Sequence, residues 1–328
     1  MLLVGSEVGA ARLVRHPVLG PLHLTERGLP LGKIPVLTIM LAVCVLLVGC
    51  VSPSDMGGPF GELRFPTPSD EATAHYHRGI DHHFSGEYEH AIAEFTEAID
   101  IDSTYALAYL DRGSVYAMLG RWEDAVADFT EVVRIDPQYD WGYWERGRAY
   151  ANLGRYEEAI ADYTQVIRIN PEFADAFYHR GGLYDQVGRH QDAILDYSEA
   201  IRLEPDHAGA YYSRAHAHHR IEEYDKAIAD YTEAIRLKPG YARFYNSRGG
   251  LYAQLAQHEE AIADYTQAIG IEPEYADPYY NRGITCYEIG NYDQVIEDLE
   301  AYLALASPDD EVWRTRAQQY IQDMRAQD

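Results

Sequence analysis

The pair Arg-Gly returns at Arg78-Gly79, Arg112-Gly113, Arg146-Gly147, Arg180-Gly181, Arg248-Gly249 and Arg282-Gly283, always a whole multiple of 34 residues apart, and only Arg214-Ala215 breaks it. A period this long means an array of one supersecondary unit, each copy burying its apolar face against the next. The register fills residues 72 to 309 with seven copies: 72–105, 106–139, 140–173, 174–207, 208–241, 242–275 and 276–309.

Each copy reads as two helices. In the copy 140–173, Tyr156, Ala159, Ile160, Tyr163, Val166 and Ile167 recur at steps of three and four, the stripe of a 3.6-residue helix. Tyr143, Gly147 and Tyr150 share a stripe in the helix before it. Gly154 stands where the chain reversal needs positive φ, and Pro171 closes the unit.

This pattern resembles the tetratricopeptide repeat (TPR), a helix-turn-helix of the same length. The small-residue signature falls on Gly147, Gly154, Ala159 and Pro171, on Gly113, Gly120, Ala125 and Pro137 before them, and on Gly181, Gly188, Ala193 and Pro205 after them. The resemblance implies an all-α fold, a right-handed alpha-alpha superhelix or TPR solenoid, with the glycine of each Arg-Gly pair as a close contact between the two helices of a unit. Departures are Ser103 for the expected proline in the first copy, Ala215 and Glu222 for glycines in the fifth, and Leu299 and Tyr302 in the seventh. Residues 310–328 read as a capping helix, introduced by Ser307-Pro308-Asp309-Asp310, with Val312, Ala317, Tyr320 and Met324 as its apolar stripe.

The arginine keeps register with an acid. Glu94, Asp128, Asp162, Asp196, Asp230, Asp264 and Asp298 stand sixteen positions after Arg78, Arg112, Arg146, Arg180, Arg214, Arg248 and Arg282. Seven matches in seven copies predict ion pairs between the first and second helices, with the arginine stem laid along the helix interface.

Lys and Arg number 27 against 53 Asp and Glu, a net charge of −26. Phosphate binding relies on basic side chains that release counterions, so this balance argues against nucleic acid as a partner. The cysteines Cys44, Cys50 and Cys286 provide no disulfide framework.

Before the repeats, Ile34 to Gly49 is apolar apart from Thr38. A comfortable membrane span needs about 20 residues, and this segment is shorter. Leu47-Val48-Gly49-Cys50 resembles the lipobox of bacterial lipoproteins, which implies cleavage before Cys50 and lipidation of its thiol. Residues 1–49 are therefore a signal peptide or a membrane anchor, with an uncleaved single span as the alternative, and 50–71, rich in Pro, Gly and Ser, are a flexible linker. Arg12, Arg15, Arg27 and Lys33 outnumber Glu7 and Glu26, so the leader stays cytoplasmic and the repeats are exported under either reading. The expected location is the bacterial cell envelope.

The family resemblance implies a concave wall built from the first helices that binds a peptide or protein segment. Three residues before each recurring glycine or its replacement stand Tyr76, Leu110, Trp144, Tyr178, Tyr212, Asn246 and Tyr280, groove-facing by family geometry, whereas Tyr109, Tyr143, Tyr211, Tyr245 and Tyr279, one residue earlier, are expected in the core. An aromatic row gives rigid contact area. Trp141, Arg148, Asn152 and His216 complete the candidate groove. The clamp of Lys, Arg and Asn by which family members grip a chaperone tail lacks its lysines here, which argues against a chaperone adaptor.

Histidines offer a rival reading. His75, His77, His82 and His83 cluster in the first copy and His216, His218 and His219 in the fifth, with His216 and His219 at i, i+3 as candidate metal ligands, although no HExxH or paired-cysteine spacing accompanies them. No nucleophile elbow, phosphate loop or dinucleotide fingerprint appears, so a hydrolase is the weakest reading and no cofactor is called for. The sequence is expected to encode a membrane-tethered scaffold, without catalysis, that serves envelope assembly, secretion or cell-wall enzyme recruitment.

Overall fold

The computed structural model describes residues 68–325. Among them the chain forms fifteen helices and no strand. They alternate as first and second helices: α1 (Asp70–Phe84), α2 (Tyr88–Ile101), α3 (Ala106–Met118), α4 (Trp122–Ile135), α5 (Asp140–Asn152), α6 (Tyr156–Ile169), α7 (Ala174–Gln186), α8 (His190–Leu203), α9 (Ala208–Arg220), α10 (Tyr224–Leu237), α11 (Ala242–Gln254), α12 (His258–Ile271), α13 (Ala276–Glu288) and α14 (Tyr292–Leu305), followed by α15 (Glu311–Arg325). The helices divide into two compact units, one ending at Pro205 and the other beginning at Asp206. The first holds α1 to α8, the second α9 to α15. Within each, every first helix packs on the second helix of its own repeat, and every second helix on the next first helix.

The recurring glycines are the contact that the sequence implies. A Cβ built on Gly147 would meet the Tyr163 ring at 3.1 Å, and one on Gly249 would meet Tyr265 at 2.9 Å. The ring of the second helix lies directly on the backbone of the first, and a side chain there would push the helices apart. The hairpin turns reverse through a left-handed residue, Gly154 at φ 72° for instance. Two repeats make this turn without glycine, at Glu222 (φ 62°) and Ala256 (φ 58°).

The arginines and acids pair in all seven repeats, at 2.7 to 2.9 Å. In α5, Arg146 donates Nε to Asp162 Oδ2 and Nη2 to Asp162 Oδ1, both at 2.8 Å, and its remaining Nη1 reaches Thr130 Oγ1 of the preceding repeat at 3.3 Å. Arg112, Arg180, Arg248 and Arg282 reach Thr96, Thr164, Thr232 and Thr266 in the same way. Each of those hydroxyls already donates to the carbonyl four residues back, as Thr130 does to Val126, so its lone pairs are free to accept the guanidinium. One side chain thus ties three helices. This cross-repeat bond lay outside the sequence expectation.

The last helix covers the seventh repeat, burying Ala317, Ile321 and Met324 with Tyr280, Leu299 and Tyr302. Val312, expected in that stripe, is 63% exposed, and its neighbour Trp313 packs inward on Tyr280. The helix begins at Glu311, after Pro308, so the inward face starts one residue later than the stripe expected from the proline. The anchor and signal segment 1–49, the lipidation candidate Cys50 and most of the linker lie outside the described residues. Among the described residues no helix is long and apolar enough to cross a membrane.

Candidate partner-binding surface

The first helices carry two adjacent rows, the residue three before the recurring glycine and the one that follows it. They interlock between repeats. Tyr76 donates its hydroxyl to Asp111 Oδ2 at 2.7 Å, Trp144 meets His179 edge-on at 5.1 Å between ring centres, Tyr212 shares a hydrogen bond with Ser247 at 3.0 Å, and Asn281 donates to Asn246 Oδ1 at 3.1 Å. Each contact spans one period plus one residue. The aromatic row is therefore seated against the next repeat rather than standing free.

This corrects part of the expected groove. Trp144 is only 7% exposed, closed in by Tyr163, Phe173 and His179, and Tyr280 is 2% exposed under Trp313 and Tyr302. Leu110 and Asn246 are buried as well. Conversely, Tyr109, Tyr143, Tyr211, Tyr245 and Tyr279, expected in the core, are half-buried, and the first three lie beside the guanidinium groups of Arg112, Arg146 and Arg214 at 5.5 to 5.6 Å. The row nearer the arginines sits at the edge of the layer. The row one residue on points into the junction between repeats.

Other candidates keep accessible surface. Tyr76, Tyr178 and Tyr212 are half-buried. Trp141 is half-buried and stacks on Trp144 at 6.1 Å. The Arg148 side chain is 52% exposed and reaches both oxygens of Glu145 at 3.2 Å, and Asn152, one turn on, is exposed and donates to the Arg148 carbonyl. At the position of Asn152 in the neighbouring repeats of the first unit stand Phe84, Met118 and Gln186, all exposed. The first helices of that unit thus present a row of two large apolar and two amide side chains in equivalent places.

Beside this row lie two carboxylates that sequence reasoning passed over. Burial pushes the Asp111 carboxyl up to about 6 against the opposing hydrogen bond from Tyr76. Burial also raises Glu145, while Arg148 pulls it down. Both occupy the place of His179, Ser247 and Asn281, so the recurring cross-repeat contact, visible as a spacing of one period plus one, was the signal that could have found them. Arg148 is the exposed counter-charge of Glu145, and the Tyr76 hydroxyl is the partner of Asp111.

The weak metal candidates do not converge. His216 lies edge-on between the rings of Tyr212 and Tyr231 at 4.5 and 5.3 Å, and His219 shares a hydrogen bond with Gln254 at 2.8 Å, its imidazole lowered by burial. Cys286 is buried, and burial raises its thiol, which makes it a packing residue rather than a nucleophile.

A family model described as TPR repeat matches residues 81–120, 113–154, 147–188 and 250–290, and another, described as tetratricopeptide repeat, matches 183–242. Together they cover more than half of the chain. The chain is similar to the solved C-terminal part of a TPR repeat-containing protein from Cytophaga hutchinsonii, with 18% identity, TM-score 0.62, and 72% of this chain and 97% of that one covered. It is similar to a tetratricopeptide repeat protein from Parabacteroides merdae, with 18% identity, TM-score 0.57, and 78% and 100% covered. It also resembles YrrB, described as a TPR protein with an unusual peptide-binding site, at 22% identity and TM-score 0.50, covering 56% and 95%. Comparison with curated proteins finds no match. Period, glycine contacts, left-handed turns and family models agree: this chain belongs to the tetratricopeptide repeat family.

Proposed function

We propose that the protein is a non-catalytic scaffold that binds a protein or peptide segment on the first helices of its N-terminal unit. The observation that carries this reading is the exposed row Phe84, Met118, Asn152 and Gln186 in the last turns of the four first helices, with exposed Arg148 one turn before Asn152. Large apolar side chains exposed at equivalent places, rimmed by polar groups, are the composition of an interaction surface. The test is a photocrosslinking residue placed in cells at Met118, at Asn152 and, as a control on a second helix, at exposed Arg168. A defined adduct from Met118 and Asn152 but not from Arg168 is expected; equal adducts from all three would sink the assignment.

We further propose that the scaffold is held at the membrane through a lipid on Cys50 and displays its repeats on the exported side of a bacterial envelope, in assembly, secretion or cell-wall enzyme recruitment. The support is the apolar run ending in Leu47-Val48-Gly49-Cys50 and the basic leader before it. Palmitate label should enter the wild-type chain and be lost in Cys50→Ala. Label retained by that variant would remove the lipid anchor and leave the uncleaved span.

A further inference from the structure

The turn between the two helices of a repeat carries a three-residue clamp, and its make-up changes along the chain in a way that isolates one copy. In the second, third and fourth repeats the clamp is Tyr-Arg-acid. Arg121 lies over the Tyr116 ring at 4.3 Å and bonds Asp124 at 2.7 Å; Arg155 with Tyr150 and Glu158, and Arg189 with Tyr184 and Asp192, repeat the arrangement at 4.6 and 2.7 Å and at 4.2 and 2.7 Å. In the fifth repeat the polarity is inverted: Glu223 sits in the middle, 2.6 Å from His218 Nδ1 and 2.8 Å from Lys226 Nζ. The first repeat has the inverted form too, with one change. Glu87 is in the middle, 2.6 Å from His82 Nδ1, but the residue equivalent to Lys226 is His90, whose Nδ1 stands 3.7 Å from the same carboxylate oxygen.

That change exchanges a permanent cation for a group that ligates metals. As an ion pair the first-repeat clamp is looser than its counterpart, 3.7 Å against 2.8 Å. As a donor set it is complete. One nitrogen from each imidazole and one carboxylate oxygen all lie within 4.8 Å of one another, and the two rings are 5.3 Å apart between centres. His82 is on the last turn of α1, Glu87 immediately precedes α2 and His90 is in its first turn, with left-handed Gly86 between them. Glu87 and His90 are exposed and His82 half-buried, so an ion can enter and keep water in its remaining positions.

We propose that His82, Glu87 and His90 form a binding site for a borderline divalent cation of the zinc and nickel class, one that joins the two helices of the first repeat across their turn. Two imidazoles and one carboxylate select such ions over calcium or magnesium, which take all-oxygen shells. The chain's net charge of −26 raises the local concentration of any cation. The fifth repeat supplies the comparison: the same backbone and the same His-Glu pair, with Lys226 where a second imidazole would be needed.

The experiment titrates zinc chloride, then magnesium chloride, into the metal-stripped full-length chain by calorimetry. His90→Lys is the deciding variant because it installs the residue that the fifth repeat already carries beside its own glutamate, so the fold and the ion pair persist while one ligand is removed. The control is His77→Ala, an exposed histidine of the same helix outside the cluster. The expected result is one zinc equivalent in the wild type, weakened by more than about tenfold in His90→Lys, unchanged in His77→Ala and not reproduced by magnesium. Absence of zinc binding in the wild type, equal binding by His90→Lys, or an equal loss in His77→Ala would overturn the site.

Discussion

Arg146 holds both carboxylate oxygens of Asp162 at 2.8 Å and still has a hydrogen for Thr130, so the side chain that pairs the helices of its own repeat also fastens that repeat to the one before. The Arg146 and Asp162 side chains are 15% and 6% exposed. Burial raises the Asp162 carboxyl despite the pair, which means that desolvation offsets much of the attraction. Arg146→Met leaves a desolvated carboxylate and is expected to cost about 3 kcal/mol. Adding Asp162→Leu should recover at least half of that loss in urea unfolding. A double variant no more stable than the single one would show that the orphaned carboxylate is not the source of the loss.

The Asp111 carboxyl, which accepts a hydrogen bond from Tyr76, has a pH signature set by its desolvation. The folded Asp111 carboxyl is raised to about 6 from an ordinary 3.8. Stability tied to its protonated form is complete below the lower value and lost as pH rises through 6. The span corresponds to at most roughly 3 kcal/mol. Asp111→Asn keeps an acceptor for Tyr76 without the charge, so the variant should melt above the wild type at pH 8 and level with it at pH 4. A gap independent of pH would contradict the assignment.

Glu222 and Ala256 make left-handed turns that five other repeats make with glycine. An L side chain there costs about 1 kcal/mol or more. Glu222→Gly and Ala256→Gly are each expected to raise the urea midpoint, by about 1 kcal/mol of stability. Gly154→Ala should lower it by a similar amount.

Trp144 is a core residue, and its truncation should be felt as such. Trp144→Ala is expected to cost about 3 to 5 kcal/mol, through the lost contacts with Tyr163, Phe173 and His179. Asn152→Ala, an exposed side chain whose amide donates to the Arg148 carbonyl, should change stability by less than about 1 kcal/mol. Differential scanning calorimetry on the two variants checks the contrast. Only the second is then a clean probe of partner binding.

The features legible from the residue string are those that repeat within one helix or one hairpin. A spacing of sixteen marks two places facing each other across a single turn, so Arg146 and Asp162 could be paired on paper. Gly147 could be assigned its contact with the second helix because only a residue without Cβ lets the ring of Tyr163 lie on the backbone. The capping helix was readable from its apolar spacing, although its stripe begins at Trp313 and not at Val312.

What the string could not decide is which of two neighbouring side chains goes inside. Tyr143 and Trp144 are about 100° apart on a helix, and an apolar stripe is at least that wide, so period alone assigns both to the buried side. The choice is made by how successive first helices sit, offset by one residue, which closes the Trp144 row against the next repeat and leaves the Tyr143 row at the arginine edge. The same offset brings Tyr76 to Asp111 and leaves Asp111 and Glu145 half-buried. Contacts inside a hairpin are written in the local sequence; contacts between hairpins depend on the packing of whole repeats, and only the folded array sets them.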